Sequence, residues 1–287
     1  MEKITDLKML EAKAYQMRLQ VIEMLDKAGS GHTGGALGMA DILTYLYFSR
    51  LNHYPKNPND KNADTFLLSN GHICPIWYAI LAHSGYFPVE DLSSLRKLGS
   101  HLQGHPKNTE TPGVFNSSGP LGHGQGQAIG AAIAARLDNL EKRVYCMMSD
   151  GGQQEGATWE AALVAAKYKL NNLTFILDLN GIQIDGFTRE IMPVPDMAAI
   201  YKTCGWNVVE IDAHNYEEID SAFEQTEISN SDKPNMIIAT STPGKGVDFM
   251  ENKYEWHDWR SPDAELVEKA KAQLQSRVEQ LSKINRN

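Results

Sequence analysis

The stretch VYCMMSDGGQQEGATWEAALVAAKYKLNNLTFILDLNGIQIDG, from Val144 to Gly186, constrains the fold of this chain more than any other. Its apolar runs at 144–148 and 173–179 are short and bounded by Gly, Asp or Asn, as strands are, whereas 155–168 is Ala-rich and made of strong helix formers. The order strand, turn, helix, strand predicts a βαβ unit, and a right-handed crossover makes its two strands parallel. Asp150 and Asn180 then follow the carboxyl ends of the two strands, on the rim where open α/β sheets bind ligands. Two hard oxygen donors at one rim suit Mg²⁺, which takes one or two protein groups and leaves its other positions to water and phosphate oxygens. Gly151 and Gly152 let backbone approach a phosphate at the start of the next helix. The same residues also read as ordinary punctuation, Asp150 as a helix cap and Asn180-Gly181 as a tight turn.

At 287 residues the chain is long enough for a sizeable core. Irregular stretches around 50–64 and 242–262 are neither low-complexity nor long enough to act as tethers, so a single domain over 1–287 is expected. A net charge of −9 without a Lys/Arg cluster argues against nucleic-acid binding. Residues 1–28 read as an amphipathic helix with Leu7, Leu10, Met17, Val21 and Leu25 on one stripe, not as a signal peptide, and no membrane role is expected. Cys74, Cys146 and Cys204 are odd in number and widely spaced, which suits a reducing, cytoplasmic location.

Several other segments carry polar residues in defined settings. The Gly-dense loop 29–35 holds His32 and is expected to lead into a helix beginning near Met39. The run Phe66-Leu67-Leu68 predicts a buried strand ending at His72, followed by a helix with Pro75 in its first turn. His105 is held extended before Pro106. Gly122, Gly126, Gly130 and Ala134 are four apart and leave one helix face nearly bare, for a tight contact in the core or between subunits. Glu155 and Glu160 read as dipole complements at the start of the helix after the Asp150 turn. The segment PGKGVDFMENKYEWHDWRSP has the composition of a loop that orders over a ligand, with Trp256 and Trp259 packing it; Asp185-Gly186 reads as a turn. His32, His72, His105 and His257 lack the spacing of a closed zinc site.

The Asp150 turn followed about thirty residues later by Asn-Gly resembles the thiamine diphosphate motif, and its flanks resemble transketolase. The supporting blocks lie in the family's order at 28–48, 66–87, 98–106, 111–138 and 245–257. The resemblance implies an α/β, three-layer thiamine diphosphate-binding fold with a mostly parallel central sheet and helices on both faces. It implies thiamine diphosphate with Mg²⁺, or Ca²⁺ or Mn²⁺ in its place. Asp150, the Asn180 side chain and the Ile182 carbonyl are then the metal ligands. His72, Gly119, Leu121, Gly151, Asn180, Ile184 and His257 are the cofactor contacts, and His32, His105, His257 and Glu155 the catalytic residues. Glu155, Glu160, Gly122 and Gly126 fall at an interface.

The resemblance covers only the amino-terminal half of full-length transketolases. It therefore implies one subunit of a split transketolase that transfers a two-carbon ketol unit between sugar phosphates. A separate carboxyl-terminal subunit would complete it as a heterotetramer, with self-association of this chain and no activity alone. Thr33, Ser149, His123 and Asp258 depart from the family's usual Pro, Gly, Gln and small residue. They keep open a non-catalytic paralogous subunit. A different thiamine diphosphate enzyme, such as a deoxyxylulose phosphate synthase or a 2-oxo acid decarboxylase or dehydrogenase subunit, is a separate alternative.

Overall fold

A computed structural model describes residues 3–228 and 231–284. In chain order the strands are β1 (Gly31–His32), β2 (Thr65–Leu68), β3 (Val144–Ser149), β4 (Leu173–Leu179), β5 (Ile182–Gln183), β6 (Gly186–Phe187), β7 (Asn207–Asp212), β8 (Asn235–Thr240) and β9 (Asp258–Trp259). The α-helices are α1 (Leu7–Ala28), α2 (Gly34–Gly38), α3 (Ala40–Tyr45), α4 (Cys74–His83), α5 (His123–Leu137), α6 (Gly156–Lys167), α7 (Thr188–Ile191), α8 (Met197–Thr203), α9 (Tyr216–Ile228) and α10 (Ala264–Ile284). Five strands form one sheet in the order β2-β3-β4-β8-β7, with every neighbouring pair parallel.

The sheet is covered on both faces, which explains why β2, β3 and β4 are buried along nearly their whole length and mostly apolar rather than alternating. Successive strand residues still point to opposite sides. Tyr145 and Met147 enter a core shared with α1, α4, α9 and α10, whereas Val144, Cys146 and Met148 enter a second core with α5, α6 and α8. The result is three layers, helices on sheet on helices. The expected βαβ unit is β3-α6-β4, with Ser149 in register with Asp178.

Helix α1 begins at the cap Asp6, whose carboxylate accepts from the Lys8 and Met9 amides, and ends at Gly29 in the left-handed region (φ +68°). Leu10, Met17, Val21 and Leu25 are fully buried and Leu7 half-buried, as the apolar stripe requires. Among the described residues no helix is long and apolar enough to cross a membrane.

A helix begins near Met39 as expected, α3 at Ala40, but the loop before it is shorter than expected: Gly34 and Gly35 already lie in the short helix α2 and serve close packing instead of loop freedom. A Cβ on Gly35 would lie 2.8 Å from Ile73 Cγ2. Of the two contacts expected for the Gly stripe, in the core or between subunits, only Gly122, just ahead of α5, is buried in this chain. Gly126, Gly130 and Ala134 face outward, and an added Cβ at Gly126 or Gly130 would meet nothing within 4 Å. The buried glycine of this helix is Gly124, whose Cβ would come within 2.6 Å of Ser69 Cβ.

Candidate active site

Asp150 follows the last residue of β3, and its amide donates to the Asp178 carbonyl of β4. Its carboxylate does two things at once. Oδ1 accepts from Gly151 N at 2.8 Å, the local cap, while Oδ2 accepts from Gly181 N at 2.9 Å and Thr188 Oγ1 at 3.1 Å. The carboxylate therefore ties the β3 turn to the loop after β4. Asn180 forms the expected turn, with its Oδ1 accepting from Ile182 N at 3.0 Å and Gly181 at φ +71°. Asp150 is thus a cap and Asn180 a turn residue, and both side chains also line one cavity.

Asp178 was not singled out from the sequence. It is wholly buried on β4 and accepts from Asn180 Nδ2 at 2.8 Å and from the Ser241 hydroxyl. Burial, with the nearby Asp150 charge, pushes its carboxyl up to about 7 against the opposing hydrogen bonds from Ser241 and Asn180. The available signal was an acidic residue inside the apolar run LTFILDL, which an ordinary buried strand does not contain.

Four histidines from separate elements converge beside this turn. His32 lies on β1, His72 in the short 3₁₀ turn before α4, His105 in the loop before Pro106, and His257 immediately before β9. Ring centroids are 5.2 Å apart for His32–His72, 5.5 Å for His32–His257, 5.9 Å for His32–His105 and 5.4 Å for His72–His257. Burial lowers the pKa of all four. Neighbouring imidazoles add to this at His72, Arg96 adds at His105, and Asp258 opposes it at His257. His32 is brought down to about 4. At neutral pH the cluster is a set of uncharged rings, each able to donate one hydrogen bond and accept another.

The segment carrying His257 is tied into the fold by backbone hydrogen bonds. Gly244 N donates to the Gly34 carbonyl, Thr33 N donates to the His257 carbonyl at 2.9 Å, and β9 pairs antiparallel with β1. Trp259 is buried, and Trp256 packs on the core against Phe249, as expected for packing residues.

A cavity of about 560 Å³ opens where the turn and the histidines meet. Every residue expected to act as metal ligand, cofactor contact or catalytic group lines it: Asp150, Asn180 and Ile182; His72, Gly119, Leu121, Gly151 and Ile184; His32, His105, His257 and Glu155. Gln154 and Gln183 also line it and were missed, because a lone Gln carries no motif. Asp185 lies in the two-residue turn between β5 and β6, as read, but its side of that turn faces the cavity. Glu160, Gly122 and Gly126 do not line it. Glu155 and Glu160 are not in the first turn of α6. Glu155 is its N-cap residue without a capping bond, and Glu160 is an exposed residue further along.

The donor set fits a hard divalent cation and a phosphate-bearing cofactor. Asp150 and Asn180 present oxygens at one rim with no basic side chain bonded to them. Gln183 Nε2, a donor in the wall, is buried without a hydrogen-bond partner among the described residues. Exposed Ile184 and Ile191 give the mouth apolar surface for a ring.

Residues 10–282 match the family model described as "Transketolase, thiamine diphosphate binding domain". The chain is 37% identical over 276 residues to an apulose-4-phosphate transketolase subunit of Phocaeicola vulgatus, covering 96% of this chain and 97% of that one. It is 38% identical over 264 residues to a 6-deoxy-6-sulfo-D-fructose transketolase subunit of Clostridium sp., covering 90% and 96%. The crystal structure of transketolase from Campylobacter jejuni superposes with a TM-score of 0.88 at 34% identity, covering 96% of this chain and 46% of that chain. The chain thus spans nearly the whole of the subunit-type relatives and less than half of the solved enzyme.

Proposed function

Because this chain belongs to the transketolase family, matching its thiamine diphosphate binding domain, we propose that it is the amino-terminal subunit of a two-component transketolase. Family membership makes it a transketolase-type transferase. In our reading it transfers a two-carbon ketol unit from a ketose to an aldose, with sugar phosphates as substrates. The observation that carries the reading is the meeting of the Asp150–Asn180 rim and the four-histidine cluster around one cavity.

Thiamine diphosphate, when bound, supplies the electron sink on which ketol transfer depends. Asp150, Asn180 and the Ile182 carbonyl would hold its Mg²⁺, or Ca²⁺ or Mn²⁺, and His72 and Gly151 its diphosphate. Gly119, Leu121 and Ile184 would flank its ring. His32, His105 and His257, held neutral by burial, can orient substrate hydroxyls and take or return protons near neutral pH. The departures Thr33, Ser149, His123 and Asp258 leave these donors lining the cavity, which favours a catalytic subunit over a paralogue retaining only the fold.

The active unit we propose is a heterotetramer with a separate carboxyl-terminal subunit, this chain self-associating within it and acting as one domain. The outward stripe of Gly126, Gly130 and Ala134, with exposed Leu137 and Leu163 on α5 and α6, supports an interface there. Glu155 and Glu160 belong to the same proposed contact region. Three free cysteines are in keeping with a cytoplasmic location.

Co-expression with the candidate partner and a ketol-transfer assay, with and without thiamine diphosphate, test the proposal. Activity is expected only from the assembled pair with cofactor. A correctly assembled pair that is inactive on sugar donors would overturn it.

A further inference from the structure

His32 and Asp258 are direct partners in the β1–β9 ladder, and His32 Nε2 lies 3.3 Å from Asp258 Oδ1. Backbone on both sides fixes this contact. Gly31 is in register with Trp259, which is buried, and the next amide, Thr33 N, donates to the His257 carbonyl. A side chain at Gly31 would be strained, at φ +142° and with its Cβ 2.4 Å from Leu25 Cδ2. The carboxylate is therefore delivered to the imidazole by strand pairing, and both side chains are mostly withdrawn from solvent, at 19% and 34% exposure.

A neutral imidazole carries one proton, on one nitrogen or the other. On Nε2 it faces the Asp258 carboxylate across 3.3 Å, a favourable charge contact rather than an aligned hydrogen bond. On Nδ1 it would be a buried N–H without an acceptor, since His32 Nδ1 is enclosed and has no hydrogen-bond partner, and the Nε2 lone pair would then face a carboxylate oxygen. The groups around the ring are His72, His105, His257, Arg96 and Asp258. Burial, His257, His105 and Arg96 oppose a positive charge on His32, and Asp258 alone favours it.

We infer that Asp258 is a positioning residue that holds His32 as the Nε2–H tautomer and leaves Nδ1 as the ring's only acceptor. The inference deepens the transketolase reading and rests on it for its catalytic meaning. The Nδ1 lone pair can then accept from a donor that a bound ligand brings to the cavity, while Nε2–H stays turned to Asp258.

The test is long-range ¹H–¹⁵N spectroscopy of the full chain labelled at histidine, which reads the protonation of each ring nitrogen without any turnover. Wild-type His32 is expected to show Nε2 protonated and Nδ1 bare. Asp258→Asn, whose amide can donate to Nε2, is expected to shift the proton to Nδ1 or divide it. Asp258→Glu is expected to restore the wild-type pattern. Unmoved His72 and His105 signals report that the fold is retained. A wild-type spectrum with the proton on Nδ1 overturns the inference even if no variant folds, and so does an Asp258→Asn spectrum identical to wild type. In the assembled enzyme Asp258→Asn should lower kcat, by less than the roughly 10²–10⁴-fold contributed by a positioned acid–base group, with little change in KM. An inactive wild-type pair counts against the transketolase reading but leaves the tautomer result standing, so the two failures are distinguishable.

Discussion

Asn180 donates through Nδ2 to Asp178 Oδ2 across 2.8 Å, so the orientation of its amide is set by a buried carboxylate two residues earlier. With the nitrogen committed there, Oδ1 is the atom left for Ile182 N and for a cation at the rim. Groups that orient metal ligands are typically worth 10–100-fold in affinity. Asp178→Asn places a second amide against the first and should weaken Mg²⁺-dependent binding of thiamine diphosphate by roughly that factor, measured by titration calorimetry. Unchanged affinity in a folded variant would show that the amide needs no such partner.

Asp150 joins two segments, so its removal should be visible without cofactor. In Asp150→Ala the Gly181 amide and the Thr188 hydroxyl lose their shared acceptor, and hydrogen exchange at Gly181 should accelerate. In the assembled enzyme the same variant should lose metal-dependent cofactor binding, and chelation of the wild type should reproduce that loss. Undiminished binding would remove Asp150 from the metal site.

The charge of Arg18 is buried away from the cavity. It pairs with Asp41, which also accepts from His214 Nδ1 at 2.8 Å and from Tyr216 OH at 3.2 Å. Breaking such a pair from one side leaves an uncompensated buried charge, so Arg18→Met should cost about 3–5 kcal/mol in urea unfolding. Burial alone would raise the Asp41 pKa, but Arg18 and the hydrogen bonds from His214 and Arg18 hold it well below the usual carboxylate range. A depressed folded pKa means that this stability is present above the unfolded value of about 4 and drains away as pH falls below it. Asp41→Asn should flatten that acid limb; an equally steep limb would contradict the assignment.

The glycines of α5 should separate into two classes. Gly124→Ala places a methyl 2.6 Å from Ser69 Cβ and should destabilise the chain by about 1–3 kcal/mol. Gly126→Ala meets nothing and should stabilise the helix by roughly 0.5–1 kcal/mol. Gly126→Leu should leave the melting temperature of this chain largely unchanged while weakening the association between chains, followed by sedimentation velocity. A Gly126→Leu chain that assembles normally would show that this face is not an interface.

Local patterns were legible because they arise from neighbouring residues. The run lengths around Asp150 and Asn180 defined β3, α6 and β4 nearly to the residue, and parallel pairing then forced both polar groups to one rim. The α1 stripe and Pro75 at the start of α4 were legible for the same reason. The role of Gly34 and Gly35 was not, because flexibility and close packing call for the same residue and only the neighbour, here Ile73, distinguishes them.

What this sequence determined by itself was its α/β class, the rim that carries Asp150 and Asn180, and, through family resemblance, the residues that line the cavity. Tertiary structure alone decided that Asp178 turns the Asn180 amide, that Asp258 meets His32, and that the glycine face of α5 points outward. The division has a physical cause. Helix and strand periods are written in residues a few positions apart, whereas a hydrogen bond between β1 and β9 depends on where the whole intervening chain has folded, and no local pattern records that distance.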